Sequence, residues 1–283
     1  MAKQISVRRK RKRRGFKVAA AVFAVVFSVA ALLEAGVFVE HLSPVFTPDY
    51  KKQDISALLL KEERSQQDYM MLYQQTGLSA KAIDELIYSG EAQRVLDIQN
   101  DFFTPRERIT TQFAPFTCCH TIDTNIKTVP LKEGDIIVSP TTHFSFFRLG
   151  HAALVVNAQS GDMASSVGYM SESFKENISE ITDRTSFIIL RPKDKSKAAA
   201  AAEYAEQNLL GLPYSVSVGL TSKKFPDTPD RTNCSHLVWY AYKAQGIDLD
   251  QNGGPFVFPA DMILSSDLEI VQVYGINPQT VLK

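Results

Sequence analysis

The sequence predicts an α+β protein preceded by one apolar helix. Three observations predict it: a mostly apolar 22-residue stretch directly after a basic tail, then a region whose apolar residues recur at helical spacing, then short β-like runs separated by Gly, Asp, Ser and Thr. The second half orders itself as strands, helix, helix, strand, which fits segregated α+β architecture better than a doubly wound parallel sheet. At 283 residues and 45% apolar composition the chain is long enough to bury a sizeable core, and disorder is excluded.

The formal charge of zero hides an asymmetry. Residues 1–17, "MAKQISVRRKRKRRGFK", hold nine of the 31 Lys and Arg and no acid. A basic run alone would fit nucleic acid, but this one abuts Val18–Val39, "VAAAVFAVVFSVAALLEAGVFV", with sixteen uncharged residues before Glu34. At ~1.5 Å per residue that stretch spans roughly 33 Å, enough for a hydrocarbon core of about 30 Å, with Glu34 near the far interface. The expectation is therefore a single-pass membrane anchor over 18–39 with 1–17 cytoplasmic, everything after residue 40 outside, and no nucleic-acid partner. A cleaved signal peptide is the rival, since Val29-Ala30-Ala31 offers a small-residue cleavage site.

Residues 40–127 read as a linker and a helical region. "SPVFTPDYKKQ" has linker composition, and Ile55 to about Phe103 reads as two or three helices, with Gly77 and Gly90 as stops and Ser79 as an N-cap. Their Met and Tyr stripe is expected to pack against the following domain. Of the three cysteines, Cys118 and Cys119 are adjacent and poorly placed to bridge each other. With His120 they lack a second ligand cluster, so no metal or cofactor is expected.

The domain at 128–283 opens with "GDIIVS" (134–139), "HAALVVN" (151–157) and "SFIILRP" (186–192) as strands. An alanine-rich helix follows in "KSKAAAAAEYAEQNLLG", then a loop to Asn233, a helix from Cys234 to about Gln245, and a strand at 268–275.

Cys234 follows the polar stretch "SKKFPDTPDRTN" and precedes a run whose Leu237, Val238, Ala241 and Tyr242 share one helical face. That places its thiol at a helix N-terminus, where unpaired N–H groups and the positive dipole end favour thiolate. A lone cysteine at such a start is equally compatible with a buried structural thiol. A cysteine nucleophile also needs a histidine to take and return a proton. His41 lies beside the membrane, His120 and His143 have no regular pattern around them, and His236 is too close in sequence to Cys234 on the same helix to face it. His151 opens a strand after Gly150, so the ladder would fix its backbone.

Taken in order, "GDIIVSP", "GHAALVV", "GLPYS", "NCSHLVWYAYKAQGIDL" and "FPADM" resemble the circularly permuted NlpC-type papain-fold cysteine hydrolases, the YiiX and YycO-like group, over residues 130–275. The resemblance implies a permuted papain-like domain with a small antiparallel sheet packed on helices. It implies Cys234 as nucleophile, His151 as general base and Tyr214 as a donor to the oxyanion. It departs at the third residue, where relatives usually carry a carboxylate on the strand after the histidine. Here the matching stretch "DMASSVG" puts Ser165 at that place, with Asp162 as the alternative if the register shifts. The expected activity is hydrolysis of amide bonds through an acyl-thioenzyme, with peptidoglycan stem peptides as substrate. The alternatives are a catalytically silent binding module of the same fold and a lipid-directed acyl hydrolase or transferase acting on a lipid amide.

Overall fold

The structure, a computed structural model, describes residues 2–41, 44–168 and 170–281. The first residue of the basic segment, the first of "SPVFTPDYKKQ" and the last two of the chain lie outside the described residues.

The basic tail and the apolar stretch form one helix, α1 (Ala2–His41). Its segment Phe16–Val39 is long and apolar enough to cross a membrane, and little of it is covered by protein. Four helices follow, α2 (Ser56–Leu59), α3 (Gln66–Thr76), α4 (Ala80–Tyr88) and α5 (Ala92–Phe103). Gly77 closes α3 in the left-handed conformation, and the Ser79 side chain caps α4 by accepting from the Ala82 N–H.

The next stretch departs from expectation, because β1 (Ile109–Ala114) and β2 (Thr117–Thr121) form a hairpin where the sequence had been read as part of the helical region. Its apolar residues are few and its outer strand is largely exposed, so no alternation marks it. This hairpin joins β4 (Thr142–Phe144) and β5 (Phe147–Arg148), residues from beyond β3 (Ile136–Ser139), in a small four-stranded sheet ordered β1-β2-β4-β5.

The larger sheet adds β6 (His151–Asn157), β7 (Asp162–Ser165), β8 (Phe174–Asn177), β9 (Phe187–Pro192) and β10 (Leu268–Tyr274). Its order is β10-β9-β3-β6-β7-β8, and all its pairs are antiparallel. The one-turn α6 (Ser179–Thr182) links β8 to β9. The helices α7 (Lys195–Asn208), α8 (Cys234–Ala244), α9 (Pro259–Leu264) and α10 (Pro278–Val281) complete the chain.

Helices cover both faces of the large sheet, which explains why its central strands read as continuous apolar runs rather than alternating ones. Ala152, Leu154 and Val156 of β6 face a core with α7 and α8, whereas Ala153 and Val155 face a core with α3, α4 and α5. On α7 the buried Ala198, Ala201, Ala202 and Ala205 form a narrow stripe that lets the backbone approach closely. Helix α8 is buried nearly all round from Ser235 to Tyr242, and its polar tips are satisfied: Trp239 Nε1 donates to Asp248 at 2.7 Å and the Tyr240 hydroxyl to the Pro226 carbonyl.

The α3–α5 region is tied to the sheet by charge as well. Arg191 on β9 makes a bidentate pair with Asp135 at 2.8 and 2.9 Å and reaches Glu85 of α4 at 2.9 Å. The α3–α4 turn also covers the sheet's β10 edge, with Ser79 N–H donating to Val271 and Val273 N–H to Gly77.

Candidate active site

Asn233 N-caps α8: its side chain accepts from the His236 N–H at 3.0 Å and from the Ser235 hydroxyl at 3.2 Å. That cap fixes Cys234 as the first helical residue, and the residue is half-buried. Gly150 sits at φ +69°, a left-handed turn in which a side chain would press on the Ser139 carbonyl, and it delivers the chain into β6 with His151 as the first strand residue. Ser139 pairs with His151 across β3 and β6.

His151 and Cys234 are close enough to shift each other's titration, and the Ala152 and Ser235 N–H groups act on the thiol as well. His151 Nε2 lies 3.0 Å from Glu176 Oε1 and 3.2 Å from Ser165 Oγ. The two strand-borne partners of the imidazole follow from alternation: Ser165 and Glu176 lie with His151 on the sheet face that also carries Ala153, Val155 and Met163, and Glu176 is paired with Met163. His151, Ser165 and Glu176 are buried.

The carboxylate is therefore Glu176 on β8, one strand further than the sequence reading looked for it. Ser165 does reach the imidazole, but alongside the acid and not in its place. Asp162 lies at the other end of β7, paired with Asn157 and held by the Ser160 hydroxyl at 2.7 Å, so it takes no part. Glu176 went unread because "FKEN" is polar with one inward position and carries no apolar alternation that would declare a strand. Its one available signal was an acid in a short segment between β7 and the strand at 187–192.

The three groups shift one another's titration. Burial raises the Cys234 thiol, but the hydrogen bond and charge of His151, with the two amides, outweigh it and leave the thiol below its ordinary value. Burial alone would lower His151, yet Cys234 and Glu176 together hold it above its ordinary value. Glu176 resists burial through the His151 hydrogen bond and charge, the Ser165 hydroxyl and the charge of Arg184, and stays below its ordinary value. All three shifts run toward the charged form of the group concerned.

Tyr214 is brought near by a two-stranded bridge with Thr232, just before the cap. Burial first, then the charge of Cys234, pushes its phenol up to about 12, so it remains a neutral donor. His236 faces away: Nε2 donates to the Lys224 carbonyl at 2.8 Å, Nδ1 meets Thr232 Oγ1 at 3.0 Å, and burial lowers it to about 4. His120 and His143 are buried in the small sheet with rings 4.8 Å apart, beside Cys118, a strand-borne arrangement that the sequence reading did not foresee.

The chain is similar to the uncharacterized protein YycO of Bacillus subtilis (strain 168), at 25% identity over 147 residues that make up 50% of this chain and 56% of that one. It thus spans little more than half the length of that curated relative. No family model matches the chain, and no solved structure does.

Proposed function

We propose that this chain is a membrane-anchored cysteine hydrolase that cleaves amide bonds through an acyl-thioenzyme, on a permuted papain-like domain of the NlpC type. The observation that carries the reading is the Cys234 thiol at a capped helix start, coupled to an imidazole that Glu176 holds at 3.0 Å. The order of the parts supports the permuted form, since the histidine strand precedes the cysteine helix.

In this reading the Cys234 thiolate attacks the amide carbonyl carbon. The developing oxyanion is met by backbone N–H at the α8 start and by the Tyr214 hydroxyl. The His151 imidazolium gives its proton to the leaving amine as the C–N bond breaks, leaving a thioester on Cys234. Water then attacks the thioester with His151 as base, releasing the acid and restoring the thiol proton to the pair. Glu176 keeps the imidazole oriented and favours its charged form throughout, with Ser165 as a second, neutral partner.

The substrate class we propose is the peptide amide of the cell wall, on the far side of the membrane from the basic tail. Retention of α1, against cleavage as a signal peptide, is supported by the Ser145 hydroxyl donating to the Leu33 carbonyl at 2.8 Å and by the burial of Val37. Glu176 also supports the hydrolase over a silent module, whose ground was a serine standing where an acid belongs.

The test incubates full-length protein in membranes, and a Cys234→Ala control, with purified peptidoglycan and with lipid amides, and identifies products by mass spectrometry. New amine and carboxylate ends from peptidoglycan with the wild type alone are expected. Products from neither substrate, or equal products from Cys234→Ala, would reject the reading.

A further inference from the structure

We infer that the β4–β5 end of the small sheet rests on the same bilayer that α1 crosses, so that the thiol opens at the membrane surface rather than at the end of a tether. The inference rests on the proposed anchor and adds a second membrane contact to it.

The observations come from four separate parts of the chain. Along α1, Leu33 and Gly36 lie six and three residues before Val39, the end of the apolar span, or ~9 and ~4.5 Å of helix rise. The turn between β4 and β5 packs at this level, with Ser145 bonded to Leu33, and a Cβ at Gly36 would strike Ser145 and come within 2.9 Å of the Phe146 ring. The turn is thus fixed beside a part of α1 that the apolar span itself includes.

The turn's own surface fits that depth. Phe146, Phe147 and Leu149 follow one another around Arg148, and each of the three apolar side chains is about half exposed, with the two phenylalanine rings 4.4 Å apart. Phe113 of β1 is similarly exposed on the same sheet, and Phe38 and Val39 are exposed at the end of α1. Phe258 is exposed as well, and Pro259 beside it packs on Gly150, within 3.6 Å of where a side chain there would begin. Exposed apolar side chains gathered on one turn mark a partner surface. Here continuity with a membrane-spanning helix names the partner as the outer interface of the bilayer, where amphipathic and aromatic surfaces settle.

The consequence reaches the chemistry because Leu149 is two residues from His151, at most about 7 Å of chain. Phe258 is likewise beside the α8 start, since Ser235 donates to the Val257 carbonyl at 2.7 Å. The apolar collar and the thiol therefore share one end of the molecule, and the amide that reaches Cys234 is one carried at the membrane surface.

The test uses the full chain reconstituted in phosphatidylcholine and phosphatidylglycerol vesicles with brominated acyl chains, which quench tryptophan by contact. Trp239 is buried and is the chain's single tryptophan, so the wild type supplies the background. Phe38→Trp, within the apolar span, reports the anchor and Phe147→Trp reports the collar. Quenching of both, with a blue-shifted emission at 147, is the expected result. Quenching at 38 without quenching at 147 overturns the docking and leaves the anchor standing; quenching at neither overturns the anchor and the docking with it.

Discussion

In the proposed mechanism Glu176 sets the working form of the site, because an imidazole beside an anion holds its proton more tightly and thereby favours the thiolate form of Cys234. Its removal should act on pH as well as rate. We expect Glu176→Gln to lower kcat/KM by roughly 10²-fold. The basic limb of the profile should move to lower pH as His151 loses support, and the acidic limb to higher pH as the thiol rises. Ser165→Ala removes one neutral hydrogen bond and should cost under about tenfold, with the limbs nearly in place. If the two variants exchange ranks, the serine is the principal partner. The same shifts fix the stability profile. Glu176 is lowered, so its contribution is present above its ordinary value and is lost as pH falls through the lowered one. His151 is raised, so its contribution is full below about 6.5 and is lost as pH rises through the raised value. Thermal melts against pH should show both flanks in the wild type and a weakened acid flank in Glu176→Gln.

Helix α8 is both the centre of one core and the seat of the thiol, so its cap serves both. Asn233→Ala should cost about 1 kcal/mol by leaving the first-turn N–H groups without their acceptor. It should also raise the apparent pKa of Cys234, read from alkylation rate against pH; a stability loss with an unchanged thiol would mean that the cap only holds the helix. The sheet's other face depends on Arg191, whose bidentate pair with the fully buried Asp135 joins β9 to β3 while its third contact holds α4. Arg191→Leu should destabilise by about 3–5 kcal/mol in denaturant titration, because it strands a buried carboxylate. The double variant Arg191→Leu with Asp135→Asn should recover part of that loss; no recovery would place the cost in packing instead.

At the scale of the whole molecule, the chain places the β4–β5 turn of its small sheet against the end of one apolar helix. The asymmetric basic flank predicts that the domain after residue 44 lies outside. Protease added to intact cells should remove that domain, and protection until the membrane is opened would reverse the orientation. The pairing of Ser145 with Leu33 further predicts that Gly36→Leu, which cannot fit beside Ser145 and Phe146, loosens the domain from the helix. Cleavage between residues 44 and 54 by limited proteolysis should then become faster.

By itself the sequence determined whatever local pattern can carry. The apolar span is legible because a bilayer demands length and composition. The strands at 136–139, 151–157, 187–192 and 268–274 are legible because a sheet covered on both faces writes short, mostly apolar runs. The helix at Cys234 is legible because Asn233 and the polar loop before it mark a start. Cys234 and His151 each stand at the first position of a patterned element, but position alone leaves both open, and it is the resemblance of the surrounding motifs that selects them. The hairpin at 109–121 was not readable, since an exposed strand carries no obligatory alternation. Nor was Glu176, since its meaning depends on a register between three strands that bring residues 151, 165 and 176 to one face. Only the tertiary structure decided that the third partner is an acid and that Asp162 is excluded, because hydrogen-bond geometry across a sheet is set by pairing partners distant in sequence and not by the residues on either side.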